Sequence, residues 1–212
     1  MQQTQQMINV LLADDHSMLR QGLRTLLEAS GRIKVVGEAA NGQEAINLAL
    51  TLNPDIVVMD LAMPGVNGSE ATRQIKRLKP CVKVLVLSMH QSKEYVIELL
   101  RAGASGYLIK DASADELLHA ILTVASGEVY LYPSVATQLV DDLVNLAAGQ
   151  AGRAVLTARE RELLQCIACG MSNRDIALRM GIALNTVRSH RASLMQKLGA
   201  HDGAELIREA IH

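Results

Sequence analysis

Five short apolar segments alternate with helical patterns between Ile8 and Ala125. Near-continuous apolar runs such as Ile-Val-Val-Met are typical of strands covered on both faces, which parallel sheets require. Between the strands, Leu19, Leu23 and Leu26 recur at helical spacing and predict an amphipathic helix on the sheet. The pattern predicts an α/β doubly wound domain with a five-stranded parallel sheet. The predicted strands cover residues 8–13, 34–39, 55–60, 82–88 and 105–110.

The chain beyond residue 153 shows another pattern, in which short helices are separated by glycines. Thr157 and Glu160 have the spacing of a capping box and open the first helix. The second helix ends before Gly181, the third covers residues 184–198, and the fourth begins at Asp202. Two short helices joined by a glycine turn are the unit of a helix-turn-helix, so we predict an all-α four-helix domain of that type.

These patterns divide the chain into three parts. Residues 1–127 hold the sheet, residues 153–212 hold the four helices, and residues 128–152 form a linker with one predicted helix at 134–147. The linker ends in the string Gly-Gln-Ala-Gly, a composition typical of interdomain joints. A chain of 212 residues is long enough for two such domains.

The net charge of −1 is divided unevenly between the two domains. Residues 1–149 carry 12 Lys and Arg against 16 Asp and Glu, a net of −4, whereas residues 150–212 carry 9 against 6, a net of +3. A basic C-terminal domain favours nucleic acid as its partner. Because the chain has no Trp or Phe, it offers few aromatic side chains on which bases could stack.

Composition excludes several other classes of protein. With 49% hydrophobic and 20% charged residues, the chain is not globally disordered. It has no apolar run of the roughly 18 to 20 residues that a membrane helix needs, and no basic segment precedes an apolar stretch at the N-terminus. We therefore predict a soluble, cytoplasmic protein without a membrane partner. The CxxC pair Cys166 and Cys169 is interpreted as packing, with redox chemistry or half a zinc site as the alternative.

Charged or hydroxyl side chains stand at the carboxyl ends of four predicted strands, where open α/β sheets bind their ligands. They are Asp14 and Asp15, Asp60, Ser88 and Lys110. Three carboxylates in one crevice repel one another unless a divalent cation lies among them, and Mg²⁺ suits oxygen ligands. Lys110 and Ser88 would then bind an anion, so the pocket suits attack of a carboxylate on phosphorus. The alternative is that each aspartate only caps the helix that follows it.

These residues lie in motifs that resemble the receiver domain of bacterial two-component response regulators. The motifs are Leu-Ala-Asp-Asp-His at 12–16, Met-Asp-Leu-Ala-Met-Pro-Gly at 59–65, Ser88, and Gly-Tyr-Leu-Ile-Lys at 106–110. The resemblance spans the first domain and implies a CheY-like receiver fold. It also implies that Ser88 and Tyr107 form a switch pair, in which the hydroxyl turns toward the phosphate while the ring moves inward.

The same resemblance implies a role for each acidic residue. Asp60 would accept a phosphoryl group from a sensor histidine kinase. Asp15 would bind Mg²⁺ directly, Asp14 would bind it through water, and the backbone carbonyl of Ala62 would complete the ligation. Receivers often have a cis proline after the pocket lysine, whereas this chain has Asp111, so a cis bond is not expected there.

The predicted third helix of the C-terminal domain has an apolar face, formed by Val187, Leu194 and Leu198, and a polar face. Arginine on such a face can bridge guanine O6 and N7, and a small residue can contact a thymine methyl. A solvated face with ordinary charges is the alternative. The residues predicted to contact DNA are Arg188, Ser189, Arg191, Ala192 and Gln196.

Three motifs of this domain resemble the LuxR-type output domain. They are Leu-Thr-Ala-Arg-Glu-Arg-Glu-Leu-Leu at 156–164, Gly-Met-Ser-Asn-Arg-Asp-Ile-Ala at 170–177 and Thr-Val-Arg-Ser-His at 186–190. A receiver joined to this domain is the arrangement of the NarL-like transcription regulators. The resemblance implies a phosphorylation-switched regulator, not an enzyme, whose partner is double-stranded promoter DNA.

One helix-turn-helix makes too few contacts for tight specific binding, so we expect a homodimer that forms on phosphorylation and occupies two half-sites. Ala204, Ile207 and Ile211 recur at helical spacing and form a candidate dimer seam. In the resting protein, we expect the receiver to cover part of this stripe or the face that carries Arg188, and phosphorylation to release it.

Two other functions are alternatives on the same fold. A Mg²⁺-dependent phosphatase with an aspartate nucleophile would need a second carboxylate two residues after Asp60, where Ala62 stands. A flavin-binding carrier would need a hydroxyl-rich phosphate loop after the first strand, where Asp14 and Asp15 would repel the ligand.

Overall fold

The N-terminal domain is built on one parallel sheet. In the computed structural model, which describes residues 7–89, 93–137, 156–198 and 200, this sheet has six strands. The five predicted strands are present with bounds shifted by at most one residue at either end. The strands are β1 (Ile8–Ala13), β2 (Ile33–Ala39), β3 (Ile56–Asp60), β4 (Lys83–Ser88), β5 (Gly106–Ile109) and β6 (Tyr130–Leu131).

The strand count predicted from the sequence was wrong by one. The extra strand, β6, pairs in parallel with β5 at the edge of the sheet. Its two residues are too few to produce a periodic or continuous apolar signal, so a pattern search does not detect it. It forms at the free edge of β5, where the backbone N–H of Tyr130 donates a hydrogen bond to the Ser105 carbonyl at 3.3 Å.

Five helices cover the two faces of the sheet. They are α1 (Ser17–Ala29), α2 (Gly42–Leu52), α3 (Gly68–Leu78), α4 (Lys93–Arg101) and α5 (Ala114–Ala125). Side chains alternate along each strand, so Leu11 faces the core beneath α2, α3 and α4, whereas Leu12 faces the core beneath α1 and α5. The sheet is therefore buried on both sides, as its apolar strands predict.

The strand order places the candidate residues at one edge. The order is β2-β1-β3-β4-β5-β6 with every pairing parallel, so all the strands end on the same side. Asp60 and Ser88 are the last residues of β3 and β4. Lys110 was predicted to end β5, but it lies one residue beyond the strand and donates its backbone N–H to the Ser88 carbonyl, 2.9 Å away.

Three of the four predicted C-terminal helices lie within the described residues. They are α6 (Ala158–Ala168), α7 (Asn173–Met180) and α8 (Leu184–Leu198). Thr157 and Glu160 form the predicted capping box of α6, and Gly181 ends α7 in the left-handed conformation with φ +64°. The three helices enclose a separate apolar core that includes Leu163 and Ile176.

Several predictions fall on residues outside the described part. They concern the fourth helix from Asp202, the seam of Ala204, Ile207 and Ile211, and most of the linker. Of the predicted linker helix, residues 133–137 are described and are helical. Among the described residues, no helix is long and apolar enough to cross a membrane.

Candidate functional site

Two carboxylates and one ammonium group meet at the carboxyl edge of the sheet. Asp14 follows β1, and both Asp14 and Asp60 are only 2% exposed. The Nζ atom of Lys110 lies 2.8 Å from Asp14 Oδ2 and 2.9 Å from Asp60 Oδ2. Residues from three strand ends are thus brought into one pocket, as the parallel sheet predicts.

The lysine of this pocket is held in its charged form. Burial of the side chain disfavours the ammonium, but the interactions with Asp14 and Asp60 outweigh that effect, and the pKa of Lys110 is raised above its ordinary value. Lys110 therefore remains cationic at neutral pH. One positive charge faces two buried carboxylates, which leaves the pocket with an excess of negative charge.

Asp15 and His16 extend the acidic edge toward the surface. Asp15 is 32% exposed at its side chain, and its Oδ1 atom lies 2.8 Å from His16 Nδ1. The same histidine nitrogen lies 3.2 Å from Asp14 Oδ1. Sequence reasoning assigned no role to His16, and its only signal was its position directly after the two aspartates.

The residues present fit a divalent metal ion. The ligand atoms offered by Asp14, Asp15, His16 and Asp60 all lie within 4.8 Å of one another. The Oδ2 atom of Asp60 is buried, and the Lys110 ammonium lies 2.9 Å from it as an ion-pair partner. A buried carboxylate is costly unless its charge is paired, and Lys110 supplies one positive charge to both Asp14 and Asp60, so a second cation would balance the pocket. Because carboxylate oxygens dominate the donor set, Mg²⁺ is the ion that suits it.

The loop after Asp60 is shaped by a close backbone contact. The N–H of Ala62 donates to Asp60 Oδ1 at 3.3 Å. At Gly68, where α3 begins, a Cβ atom would lie 2.1 Å from the Asp60 carbonyl oxygen and 2.9 Å from the Cα of Leu61. Only glycine allows this approach without a backbone shift. Sequence reasoning missed Gly68, for which the Asn-Gly pair at a helix start was the available signal.

Ser88 and Tyr107 lie together beside the pocket. Each is 1% exposed, and their side chains are joined by a hydrogen bond. Burial raises the pKa of Tyr107, which the hydrogen bond to Ser88 partly opposes. The ring therefore points inward in this structure, and the hydroxyl motion expected on phosphorylation stays a prediction.

The strand that the sequence did not predict is bonded to the backbone of Tyr107. The backbone N–H of Tyr132, which follows β6, donates to the Tyr107 carbonyl at 3.0 Å. In the ladder, Tyr107 is the partner of Leu131. A shift of the Tyr107 backbone would therefore displace β6 directly.

The polar face predicted on α8 is exposed for four of its five candidate residues. Val187 and Leu194 are 0% exposed and pack in the core of the C-terminal domain. The exposed candidates are Arg188, Ser189, Ala192 and Gln196. These side chains are free of the core and present donors and small groups to solvent, which is what contact with a DNA groove requires.

Arg191, the fifth candidate, is bonded to the N-terminal domain. Its Nη2 atom lies 2.5 Å from Oε2 of Glu128, and its Nη1 atom donates to Asn173 Oδ1 at 3.3 Å. The Arg191 side chain is only 15% exposed. We expected the N-terminal domain to cover either part of the stripe of Ala204, Ile207 and Ile211, which lies outside the described residues, or the Arg188 face. Arg188 is exposed in this structure, whereas Arg191 of the same helix is bonded to Glu128.

A backbone contact adjoins this ion pair. Gly170, in the turn between α6 and α7, has a φ of +68°, and a Cβ atom there would lie 2.5 Å from Thr123 Cγ2 and 3.1 Å from Tyr130 Cδ2. Thr123 belongs to α5 and Tyr130 to β6. The C-terminal domain thus packs against α5 and β6, and β6 is the strand that is bonded to Tyr107.

The two cysteines of the CxxC pair are held as thiols. Burial raises the pKa of Cys166, and burial with the neighbouring Cys166 raises the pKa of Cys169 to about 11. Thiols with such pKa values are poor nucleophiles at neutral pH. Cys166 lies in the core of the C-terminal domain and Cys169 packs, partly buried, against the core of the N-terminal domain, so the structure supports the packing interpretation.

Comparison with known proteins finds a matching family for each of the two domains. Residues 10–122 match the family described as the response regulator receiver domain, and residues 154–210 match the luxR family of bacterial regulatory proteins. The chain is 36% identical to the transcriptional regulatory protein DegU of Brevibacillus brevis, over 96% of this chain and 93% of that protein. It is 38% identical to the response regulator UvrY of Escherichia coli, over 97% and 94%.

A solved structure of two RcsB dimers bound to two parallel DNAs is also similar. It matches with a TM-score of 0.59 and 27% identity over 96% of this chain and 97% of that chain. The similarity therefore extends across both domains and the linker between them.

Proposed function

This chain belongs to the NarL/LuxR-type response regulators of two-component systems, and from that membership we propose that Asp60 is its phosphoacceptor. The chain combines a receiver with a LuxR-type DNA-binding domain, and its relatives are transcriptional regulators. The phosphodonor would be a phosphohistidine of a sensor histidine kinase. We assign residues 1–127 to the receiver, 128–152 to the linker and 153–212 to the DNA-binding domain, which the two family matches support.

The observation that carries the proposal is the buried carboxylate of Asp60, which is 2% exposed and whose Oδ2 atom lies 2.9 Å from the Lys110 ammonium. In the transfer, a carboxylate oxygen of Asp60 forms a bond to phosphorus while the bond from phosphorus to the histidine nitrogen breaks, and that nitrogen keeps the electron pair. Lys110, whose raised pKa keeps it charged, would then pair with the phosphoryl oxygens. The Ser88 hydroxyl would donate a hydrogen bond to the same group.

The metal site would also stabilise the transferring phosphoryl group. Asp14, Asp15 and Asp60, with the Ala62 carbonyl, would hold Mg²⁺, which supplies positive charge to the oxygens of the transferring group. Asp14 is already bonded by Lys110 and by the backbone N–H of His16, at 2.8 Å each. It therefore suits contact through water, whereas the more exposed Asp15 suits direct binding.

The output step is DNA binding by the C-terminal domain. Arg188, Ser189, Ala192 and Gln196 of α8 would contact the duplex, because these four side chains are exposed while the opposite face is buried. A regulator of this class would bind double-stranded promoter DNA as a homodimer, and the similar RcsB structure shows dimers on DNA.

Regulation would act on Arg191. In this structure Glu128 pairs with this arginine, which would keep it from DNA phosphates and bases. Phosphorylation would shift the receiver toward a state in which β6 and Glu128 no longer hold the C-terminal domain. The direct bond between the Tyr107 carbonyl and the residue after β6 supports this route.

Phosphorylation with a small-molecule phosphodonor and Mg²⁺ tests the assignment of Asp60. We expect the wild-type chain to gain an acid-labile and base-labile phosphoryl group and Asp60→Asn to gain none, because an amide is a far poorer nucleophile. The control is Asp111→Asn, which removes an exposed carboxylate next to Lys110 and should leave incorporation intact. A normal acyl phosphate on the Asp60→Asn protein would show that the assignment is wrong.

A further inference from the structure

The backbone of Asp14 is held on one side by β2 and on the other by a side chain of α1. Its N–H donates to the Ala39 carbonyl at 3.1 Å, and its carbonyl accepts a hydrogen bond from Arg20 Nη1 at 2.5 Å. Arg20 lies in the first turns of α1, and its Nε atom is 3.0 Å from Oε2 of Glu38 on β2. The guanidinium therefore connects the loop that carries the aspartates to the neighbouring strand.

We propose that Arg20, anchored by Glu38, is a positioning residue that sets the direction of the Asp15 carboxylate for metal binding. This inference rests on the proposed Mg²⁺ site and adds a residue that does not itself touch the ion. It acts through the peptide bond between Asp14 and Asp15.

The physical reason is the planarity of that peptide bond. The carbonyl of Asp14 and the N–H and Cα of Asp15 lie in one plane, so fixing the carbonyl direction also fixes where the Asp15 side chain begins. The Asp15 side chain is 32% exposed and lies in a loop between β1 and α1. Without the hydrogen bond from Arg20, this peptide plane could rotate and the carboxylate would sample several directions.

Arginine and glutamate are both needed for this role. The planar guanidinium offers Nε to Glu38 and Nη1 to Asp14 at the same time, whereas a lysine ammonium is a single point charge on a flexible stem. The Arg20 side chain is 16% exposed and that of Glu38 is 25% exposed, so the pair is shielded from solvent. Glu38 also neutralises Arg20, and the cation near the pocket therefore does not compete with a metal ion.

Arg24 provides a matched control within the same helix. It lies one turn further along α1, and its Nη1 atom is 3.0 Å from Oε1 of the same Glu38. Its Nη2 atom donates to the Val35 carbonyl at 3.2 Å, so it also connects α1 to β2. Both arginines pair with Glu38, but the backbone carbonyl that Arg24 bonds is that of Val35, whereas Arg20 bonds that of Asp14.

The test is calorimetric titration of the full chain with Mg²⁺, for wild type, Arg20→Ala, Arg20→Lys and Arg24→Ala. We expect Arg20→Ala to lose roughly tenfold in Mg²⁺ affinity, the size of effect found when groups that orient metal ligands are removed. Arg20→Lys should lie between Arg20→Ala and wild type, because it retains one donor. Arg24→Ala should bind Mg²⁺ like wild type. Urea unfolding without metal reports the stability of each variant.

The outcomes separate this inference from the proposed function. Equal losses of Mg²⁺ affinity in Arg20→Ala and Arg24→Ala would overturn the inference. The loss would then result from weaker contact between α1 and β2, and not from the bond to Asp14. Unchanged affinity in both Arg20 variants would overturn it too, and Arg20→Lys keeps the test valid if Arg20→Ala does not fold. If wild type binds Mg²⁺ but gains no phosphoryl group from the phosphodonor, the proposed function fails while the role of Arg20 in the metal site stands. If wild type binds no Mg²⁺, both fail.

Discussion

Single side chains in the acidic pocket have partners that are distant in sequence. Lys110 is 96 positions from Asp14, yet its ammonium lies 2.8 Å from that carboxylate. The residue types of the pocket could be selected from the sequence because each stands at the end of an apolar strand. The pairing of Lys110 with both Asp14 and Asp60 could not be predicted from the sequence, because it depends on how far the lysine side chain reaches across β3 and β4.

Gly68 is the residue at which packing space near Asp60 is most limited. We expect Gly68→Ala to lower the free energy of unfolding by roughly 1 to 3 kcal/mol, because its Cβ would meet the Asp60 carbonyl and neither backbone can yield freely. Gly22→Ala is the control: it lies inside α1 with nothing within 4 Å, so it should raise stability by up to about 1 kcal/mol. Urea unfolding measures both changes, and a neutral Gly68→Ala would contradict the close contact.

Whole elements differ in how well local pattern defines them. The bounds of α8 agree with the prediction at both ends, because its buried and exposed residues alternate with helical periodicity over 15 residues. β6 has two residues, and it forms only because the edge of β5 offers free backbone groups. A long periodic element can be predicted from its own residues, whereas a short edge strand depends on its neighbour.

The exposed face of α8 leads to a test of DNA contact. We expect Arg188→Ala to weaken specific DNA binding by roughly 1 to 3 kcal/mol and to relax preference at one position in each half-site, if the arginine reads a guanine. The control Arg159→Ala removes an equal charge from α6, where the arginine pairs with Glu162. Titration against selected and scrambled duplexes separates the cases. A uniform loss would indicate a phosphate contact, and no loss would contradict the assignment of this face.

At the scale of the whole molecule, the two domains meet where the receiver can influence the DNA-binding domain. Gly170 approaches Thr123 and Tyr130, and Glu128 holds Arg191. Because β6 is bonded to the Tyr107 backbone, the contact lies next to Ser88 and Tyr107 rather than on a remote surface. The arrangement connects the proposed phosphorylation pocket to the C-terminal domain through one short strand.

This contact predicts that Glu128→Gln raises DNA affinity before phosphorylation. The pair is partly buried, with Arg191 15% and Glu128 40% exposed, so we expect a gain of up to about fivefold, or roughly 1 kcal/mol. The control Glu98→Gln removes an equal charge from α4 and should change little. DNA titration of the unphosphorylated full chain measures the effect. Equal affinity in wild type and Glu128→Gln would show that this pair does not restrain Arg191.

The amino-acid pattern alone determined the elements and the residue types of the pocket. Apolar runs, the capping box at Thr157 and the glycine after α7 act over a few residues, so local physics is enough to define the five main strands and three described helices of the second domain. Tertiary structure decided which of these elements contact one another and through which residues. The sixth strand, the bond from Arg20 to the Asp14 carbonyl and the pairing of Arg191 with Glu128 join segments distant in the sequence. Such contacts depend on strand register and on the packing of one domain against the other, which no local pattern encodes.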